Sequence, residues 1–392
     1  MLTQDRWLLP EGIEEIFPDE AEHLDQLGRV LIDQFHAWGY RLVMPPMVDF
    51  LDSLLTGSGY ELDQQTLKFV DPLTGRLVGL RADMTPQVAR IDARTAALGL
   101  PSRLCYLGNV IHGVGAHLEK TRNPIQVGAE LYGHSGGKAT AEVIRLMLET
   151  LHAAGLREVH LDLGHVGIYR ALAQEAGLSE TDEASLFDIL QRKDATDLNQ
   201  FLAEKAIRPE IRPLMKALLD LNGPLEVLDE ARRRLADGGE QIAAALGELA
   251  DLGAELKRRY PGLPLHLDLA ELRGYQYHTG IVFAAFVPGQ GREIARGGRY
   301  DDIGKVFGFA RPAVGFSADL KFLARLGASS ERPVARRIFA PATDDPALEQ
   351  QVAALRAEGR VVIQSLGHDD ETAGQLGCAE SLILKDGRWI LV

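Results

Sequence analysis

From Asp19 to Trp38 the apolar residues Leu24, Leu27, Leu31, Phe35 and Trp38 recur every three or four positions, which predicts a helix with one buried stripe. Gly39 ends it. Tyr40, Leu42 and Met44 then alternate as a short strand, which Pro45-Pro46 stops because neither ring can donate to a ladder. Leu77 to Leu80 predicts a strand running into the turn RADMTPQ, with Thr85 as N-cap and Pro86 at the first helical position. That helix continues through Val88, Ile91 and Leu98 to Gly99. Leu104–Val110 and Ile125–Leu131 read as two strands of a hairpin joined by a polar, glycine-bearing loop. A helix over 139–154 and the strand VHLDL follow.

The character changes between Tyr169 and Arg259, where Leu, Ala and charged residues alternate at helical period with almost no strand signal. This predicts a helical insertion over 169–259. Strand signals return at LPLHLDLAELRGYQYHTGIVFAAF and continue through ARGGRYDDIG to PAVGFSADLKFLARL, so the first domain, 1–325, closes around the insertion. After the loop ASSERP, residues 330–392 read as strand, helix, strand and a hairpin turning at Asp386-Gly387, a small α/β unit.

Composition narrows the function. The 392 residues are 46% hydrophobic and 25% charged, which excludes disorder, and 42 basic against 56 acidic residues leave a net charge of −14. Bulk attraction to nucleic acid or acidic membranes is disfavoured. No stretch approaches the ~18 apolar residues of a membrane span, and the first residues lack a signal-peptide pattern. Cys105 and Cys378 lie far apart, and the eleven histidines form no metal-spaced cluster, so no metal or cofactor is expected and a reducing cytoplasm fits.

Three clusters hold candidate chemistry. On the strand Ile125–Leu131, Gln126, Gly128 and Glu130 share one face while Ile125, Val127, Ala129 and Leu131 share the other. Two long polar groups then flank a glycine that lets a ligand approach the backbone, although a half-solvated sheet face has the same pattern. The segment Arg273-Gly274-Tyr275-Gln276-Tyr277-His278-Thr279-Gly280 gathers an arginine able to clamp a carboxylate, two tyrosines and an imidazole at a strand start, where aromatics also serve packing. Arg81 and Asp83 precede Thr85 at a strand-to-helix turn, either as site residues or as a capping ion pair. The glycines of ARGGRYD and GVGAH have neither the Walker spacing nor the dinucleotide fingerprint.

Taken in order, the segment Asp19–Pro46, the turn LRADMTPQ, the hairpin YLGNVI…NPIQVGAELYG, the cluster RGYQYHTG and the segment ARGGRYDDI…AVGFSADL resemble the core of a class II aminoacyl-tRNA synthetase, most closely histidyl-tRNA synthetase, across residues 5 to 325. The resemblance implies an α+β fold, an antiparallel sheet flanked by helices. It implies that Asp83 and Thr85 hold an amino acid's ammonium, that Gln126, Gly128 and Glu130 floor its pocket, that Arg273 lies near its carboxylate and that Tyr277 lines the imidazole side. Gln276 and His278 depart from the family's aspartate and second tyrosine. The ATP-binding positions depart further. His112 and Val114 replace an arginine and a glutamate of the second motif, and Lys321-Phe322 replaces the glutamate-arginine pair of the third, where an apolar ring cannot act as a guanidinium fork. Residues 330–392 are also too few for the anticodon-binding domain.

This profile resembles the regulatory subunits of ATP phosphoribosyltransferase, and LDLGHVGIYRAL is similar to that family's signature. The resemblance implies a cytoplasmic, non-catalytic protein, a homodimer within a hetero-oligomer. It further implies the short catalytic subunit of the first step of histidine biosynthesis as partner, L-histidine as effector, and no involvement of tRNA or membrane. Two other readings stay open: an ATP-dependent ligase, and a free-standing histidine-binding protein.

Overall fold

A computed structural model describes residues 8–55, 60–95, 100–113, 121–205, 207–271, 274, 277–308, 310–327, 336–368 and 371–392. The amphipathic stripe forms the helix Pro18–Ala37, which buries Leu24, Leu27, Leu31 and Phe35. Pro18 occupies its first turn, where a missing N–H costs nothing. Only Arg41–Leu42 forms the strand expected over 40–44: Tyr40 is buried but Met44 is 82% exposed, so the alternation ends before the prolines.

Among the described residues, nine strands form one sheet. Its order is Arg41–Leu42, Ser102–Asn109, Ile125–Tyr132, Ala313–Asp319, Ala295–Arg299, Ile281–Phe286, His160–His165, Leu265–Asp268 and Asn222–Gly223. The six middle strands pair antiparallel. Toward each edge one parallel pair appears, Arg41–Leu42 with Ser102–Asn109 and His160–His165 with Leu265–Asp268. The expected hairpin is present, with Tyr106 opposite Gly128 and Leu104 opposite Glu130.

Period-two alternation puts Val127, Ala129 and Leu131 into the main core, against the helices Pro18–Ala37 and Gly137–Ala153. The other face carries a smaller core containing Met84, Val88, Tyr106, Tyr132 and Tyr300. Helix Thr85–Thr95 packs here, and a buried ion pair between its Asp92 and Arg311 ties it to the chain beyond the glycine-rich strand. Between 166 and 259 six helices follow one another, from Val166–Glu175 to Gly239–Arg259. The insertion also contributes the strand Asn222–Gly223, which its helical pattern conceals. A second small sheet, ordered Val48–Phe50, Leu77–Leu80 and Lys68–Val70, was foreshadowed by its central strand alone.

The chain divides into two units, Met1–Ala328 and Ser329–Val392. In the second, Val362–Gln364, Ile338–Ala340 and Glu380–Lys385 pair parallel, and Arg388–Leu391 joins antiparallel. The turn of this last hairpin puts Asp386 and Gly387 at φ 50° and 73°, as an Asp-Gly two-residue turn requires. Helix Pro346–Ala357 supplies Leu348, Val352 and Leu355 to this unit's core.

Candidate functional site

A cavity of about 550 Å³ opens on the sheet face that carries Gln126 and Glu130. Asp83, Thr85, Gln126, Glu130 and Tyr277 line one part of it, and His112 and Phe322 also line it. Together with Gly274 and His278, which also line it, these residues come from separate segments of the sequence and share one space. Gly128 does not line it, and Val114, Arg273 and Gln276 lie outside the described residues.

Glu130 is the centre of the site. It is 1% exposed, and its Oε1 accepts from the hydroxyls of Tyr106 at 3.0 Å and Thr85 at 3.1 Å, while Oε2 accepts from the Tyr300 hydroxyl. Burial pushes its carboxyl up to about 8; the nearby charge of Asp83 adds to this, and the three hydroxyls oppose it without prevailing. Tyr106 and Tyr300 were not singled out from the sequence. Tyr106 stands on the neighbouring strand, and Tyr300 follows the glycine-rich strand Ala295–Arg299. Gly315, directly across the ladder from Glu130, is what admits the carboxyl, because a Cβ there would overlap Oε2.

Gly128 has a different task from the one expected. A Cβ there would overlap the Phe316 carbonyl oxygen and lie 2.5 Å from the Tyr106 hydroxyl oxygen, so the glycine makes room for the neighbouring strands and that ring, and not for a ligand at the backbone. Gly297 likewise makes room for the Gly315 carbonyl and the Phe283 ring, and Gly298 for the His278 ring.

At the turn before helix Thr85–Thr95, Asp83 Oδ1 accepts from the Thr85 N–H at 3.1 Å and from Gln126 Nε2 at 2.7 Å. Gln126 Oε1 in turn accepts from the Met84 N–H at 2.9 Å. Asp83 is thus the capping side chain, and Thr85 is not the N-cap: its hydroxyl turns to Glu130. Arg81 does not pair with Asp83; its guanidinium donates to the carbonyls of Asn109 and Pro45 at 2.8 and 2.5 Å.

Tyr277 stacks on Tyr300 with ring centroids 4.9 Å apart, and it meets His278 edge-on at 5.3 Å. Its hydroxyl is buried and has no hydrogen-bond partner among the described residues. A buried donor without a partner is costly, so this hydroxyl marks where a polar ligand atom would be gained. His112 Nε2 sits 3.1 Å from the Ala82 carbonyl, and Arg292 lies over the Phe322 ring at 3.8 Å.

The arrangement gathers carboxyl, amide and hydroxyl groups on one wall of the cavity, and comparison with known proteins says which lineage built it. Residues 12–323 match the histidyl-tRNA synthetase family, and residues 335–392 match the family described as ATP phosphoribosyltransferase subunit HisZ C-terminal domain. The ATP phosphoribosyltransferase regulatory subunit of Methylococcus capsulatus is 55% identical over 389 residues, covering 99% of this chain and 96% of the relative. This chain belongs to the ATP phosphoribosyltransferase regulatory subunit family. A second regulatory subunit, from Thioalkalivibrio sulfidiphilus, is 54% identical over 99% of this chain and 98% of its own length. A crystal structure described as an ATP phosphoribosyltransferase regulatory subunit/histidyl-tRNA synthetase from Bacillus halodurans superposes with a TM-score of 0.82 at 25% identity, covering 96% of this chain and 97% of that one. Histidyl-tRNA synthetase from Nostoc shares the fold, with a TM-score of 0.77 at 20% identity over 98% of this chain and 96% of its own. The class II synthetase-like α+β architecture is therefore that of the regulatory-subunit family. Among the described residues no helix is long and apolar enough to cross a membrane.

Proposed function

We propose that this regulatory subunit performs no chemistry of its own, that a short catalytic subunit of ATP phosphoribosyltransferase requires it for the first step of histidine biosynthesis, and that its cavity binds free L-histidine as the feedback effector. The observation that carries the reading is the pairing of two ends. Asp83, Gln126, Glu130 and Tyr277 offer an ammonium and ring site, while His112 and Phe322 stand where a synthetase clamps phosphates. A triphosphate with about four negative charges needs cationic clamps to be held and stabilised during transfer. Arg273 is the proposed carboxylate partner, and Gly128 acts through Tyr106. The complex is cytoplasmic and involves no tRNA. The core 1–325 holds the effector, the insertion 169–259 packs within it, and 330–392 is the small separate domain.

The direct test mixes the purified chain with a short catalytic subunit and follows phosphoribosyl transfer with and without histidine. Activity should require this chain and fall as histidine is added; an active catalytic subunit indifferent to the chain would end the reading. Histidine-dependent pyrophosphate exchange by the chain alone should stay at background, since both phosphate-binding arginines are replaced. Turnover near that of a true synthetase would favour the ligase reading instead.

The chain should also form a two-fold dimer through the Asp19–Met47 segment. Val30 and Met44 are 51% and 82% exposed there, and an isologous surface feels one substitution on both sides. Light scattering should report twice 42.9 kDa for the unmodified chain and a monomer for Val30→Glu. A monomer without substitution would remove this interface.

A further inference from the structure

Lys321 is 1% exposed, and a buried ammonium persists only when it is paired and hydrogen-bonded. Its Nζ donates to Glu14 Oε1 at 2.9 Å and to Asn123 Oδ1 at 3.2 Å. The other oxygen of Glu14 accepts from Arg325 Nη2 at 2.9 Å, and Arg325 Nε donates to Glu20 at 3.0 Å. Partial burial alone would raise the Glu14 carboxyl, but its bonds to Lys321 and Arg325 and their charges bring it down to about 2. The carboxylate therefore stays ionised against two cations.

The backbone around Glu14 is fastened as well. The Arg122 N–H donates to the Gly12 carbonyl at 2.6 Å, and Arg122 Nη1 donates to the Glu11 carbonyl at 3.1 Å. Asn123 Nδ2 donates to the Glu14 carbonyl at 3.1 Å, while the Glu14 N–H donates to Asn123 Oδ1 at 3.4 Å. Asn123 leads through Pro124 into the strand bearing Gln126 and Glu130, and Lys321 is followed by Phe322. Asp319 joins the two from inside, its Oδ1 accepting from the N–H groups of Ile125 at 3.2 Å and Lys321 at 3.1 Å. Pro124, Asp319 and Phe322 line the cavity, whereas none of residues 8–17 does. The segment is behind the wall and grips both of its halves.

We propose that residues 8–17 are a strap, that Glu14 and its buried receptor Lys321 are positioning residues for the cavity wall, and that this internal ion pair presets the effector site in the absence of any nucleotide. The strands Ile125–Tyr132 and Ala313–Asp319 pair as a ladder that ends at Gln126 and Asp319, and the strap fastens the two chains just beyond that end, where Asn123 and Lys321 lie. The link to affinity rests on the histidine reading of the cavity; the strap itself does not. Glu14→Gln leaves a buried ammonium without its carboxylate, whereas Lys321→Met leaves Glu14 with Arg325 and fills the space with apolar atoms of similar length. The order of damage is therefore fixed, and a variant carrying both changes should relieve most of it.

Full-length Glu14→Gln, Lys321→Met and the double variant are compared by hydrogen exchange and by histidine calorimetry. For Glu14→Gln we expect exchange over 121–127 and 319–323 to rise about tenfold or more, with helix Gly239–Arg259 unchanged, and histidine affinity to fall about fivefold. The double variant should return both to within about threefold of the unmodified chain. Unchanged exchange in Glu14→Gln, an equal rise in helix Gly239–Arg259, or a double variant that is as loose as the single or fails to fold overturns the strap. An unmodified chain that binds no histidine removes the effector reading, and the exchange data still decide the strap.

Discussion

On the proposed function, Glu130→Ala should weaken histidine binding to the assembled complex by ~10-fold or more and leave activation by the subunit intact. The size follows from what the carboxyl does. It gathers the hydroxyls of Thr85, Tyr106 and Tyr300 beside the cavity, and truncation strands all three in a buried place. Leaving a buried hydroxyl without its partner costs ~1 to 3 kcal/mol, and three of them are loosened at once at the cavity wall, while a factor of ten in affinity needs only ~1.4 kcal/mol. With catalysis proposed for the other subunit, the maximal rate without histidine should hold while the inhibition curve moves to higher histidine. Gly315→Ala offers a check that leaves Glu130 in place. Its new Cβ would overlap Oε2, displace the carboxyl and weaken binding in the same direction. Occupancy regulates only if histidine binds one state of the complex better than another, and ~1 to 3 kcal/mol of coupling is enough. Calorimetry on the unmodified and Glu130→Ala complexes decides the matter. Equal affinities would move the effector to the interface with the catalytic subunit.

The parts of this site that were legible in the sequence are local. Period two alone separates Gln126, Gly128 and Glu130 from Val127, Ala129 and Leu131, and the structure keeps that division. The Asp83 turn and the Asp386-Gly387 hairpin carry their geometry in adjacent residues. The hidden parts depend on contacts between distant positions. Tyr300 reaches Glu130 across 170 positions, and Lys321 reaches Glu14 across 307. Neither pair has a spacing to read. Gly128 illustrates the limit most clearly: a mid-strand glycine announces that something approaches closely, and only the two flanking strands reveal that the Phe316 carbonyl and the Tyr106 ring are what approach. Lys68–Val70 escaped notice because three exposed residues carry no alternation between faces. The replaced motif residues were legible by resemblance, but the new partners of Lys321 were not.

Raising pH from 5 to 9 should destabilise the unmodified protein, and Glu130→Gln should remove most of that slope. In the folded chain burial holds the Glu130 carboxyl at about 8, far above the 4.5 of a free side chain. Between those values the native state keeps a proton that the unfolded chain has released, so stability falls as pH rises. The contribution is complete below pH 4.5 and gone above 8, and at about 1.4 kcal/mol per unit it reaches a few kcal/mol. The side chain is 1% exposed, so solvent screening takes little of it away. Glu14 acts with the opposite sign at the acid end. Its carboxyl is held at about 2, so its stabilisation is present above 4.5 and is lost as pH falls toward 2. The two windows do not overlap; burial also raises Asp92 and Cys105, which add slopes of the same sign toward the two ends of the range, so the difference between the unmodified chain and Glu130→Gln is what isolates Glu130. Urea unfolding at pH 5, 6.5 and 8.5 should show the unmodified chain losing stability while Glu130→Gln stays nearly level. Parallel curves would mean that Glu130 is already ionised at pH 5. A protonated carboxyl at neutral pH can donate a hydrogen bond to a ring nitrogen, whereas an ionised one can only accept. On the proposed histidine reading, the same titration therefore bears on which form of the imidazole ring Glu130 would meet.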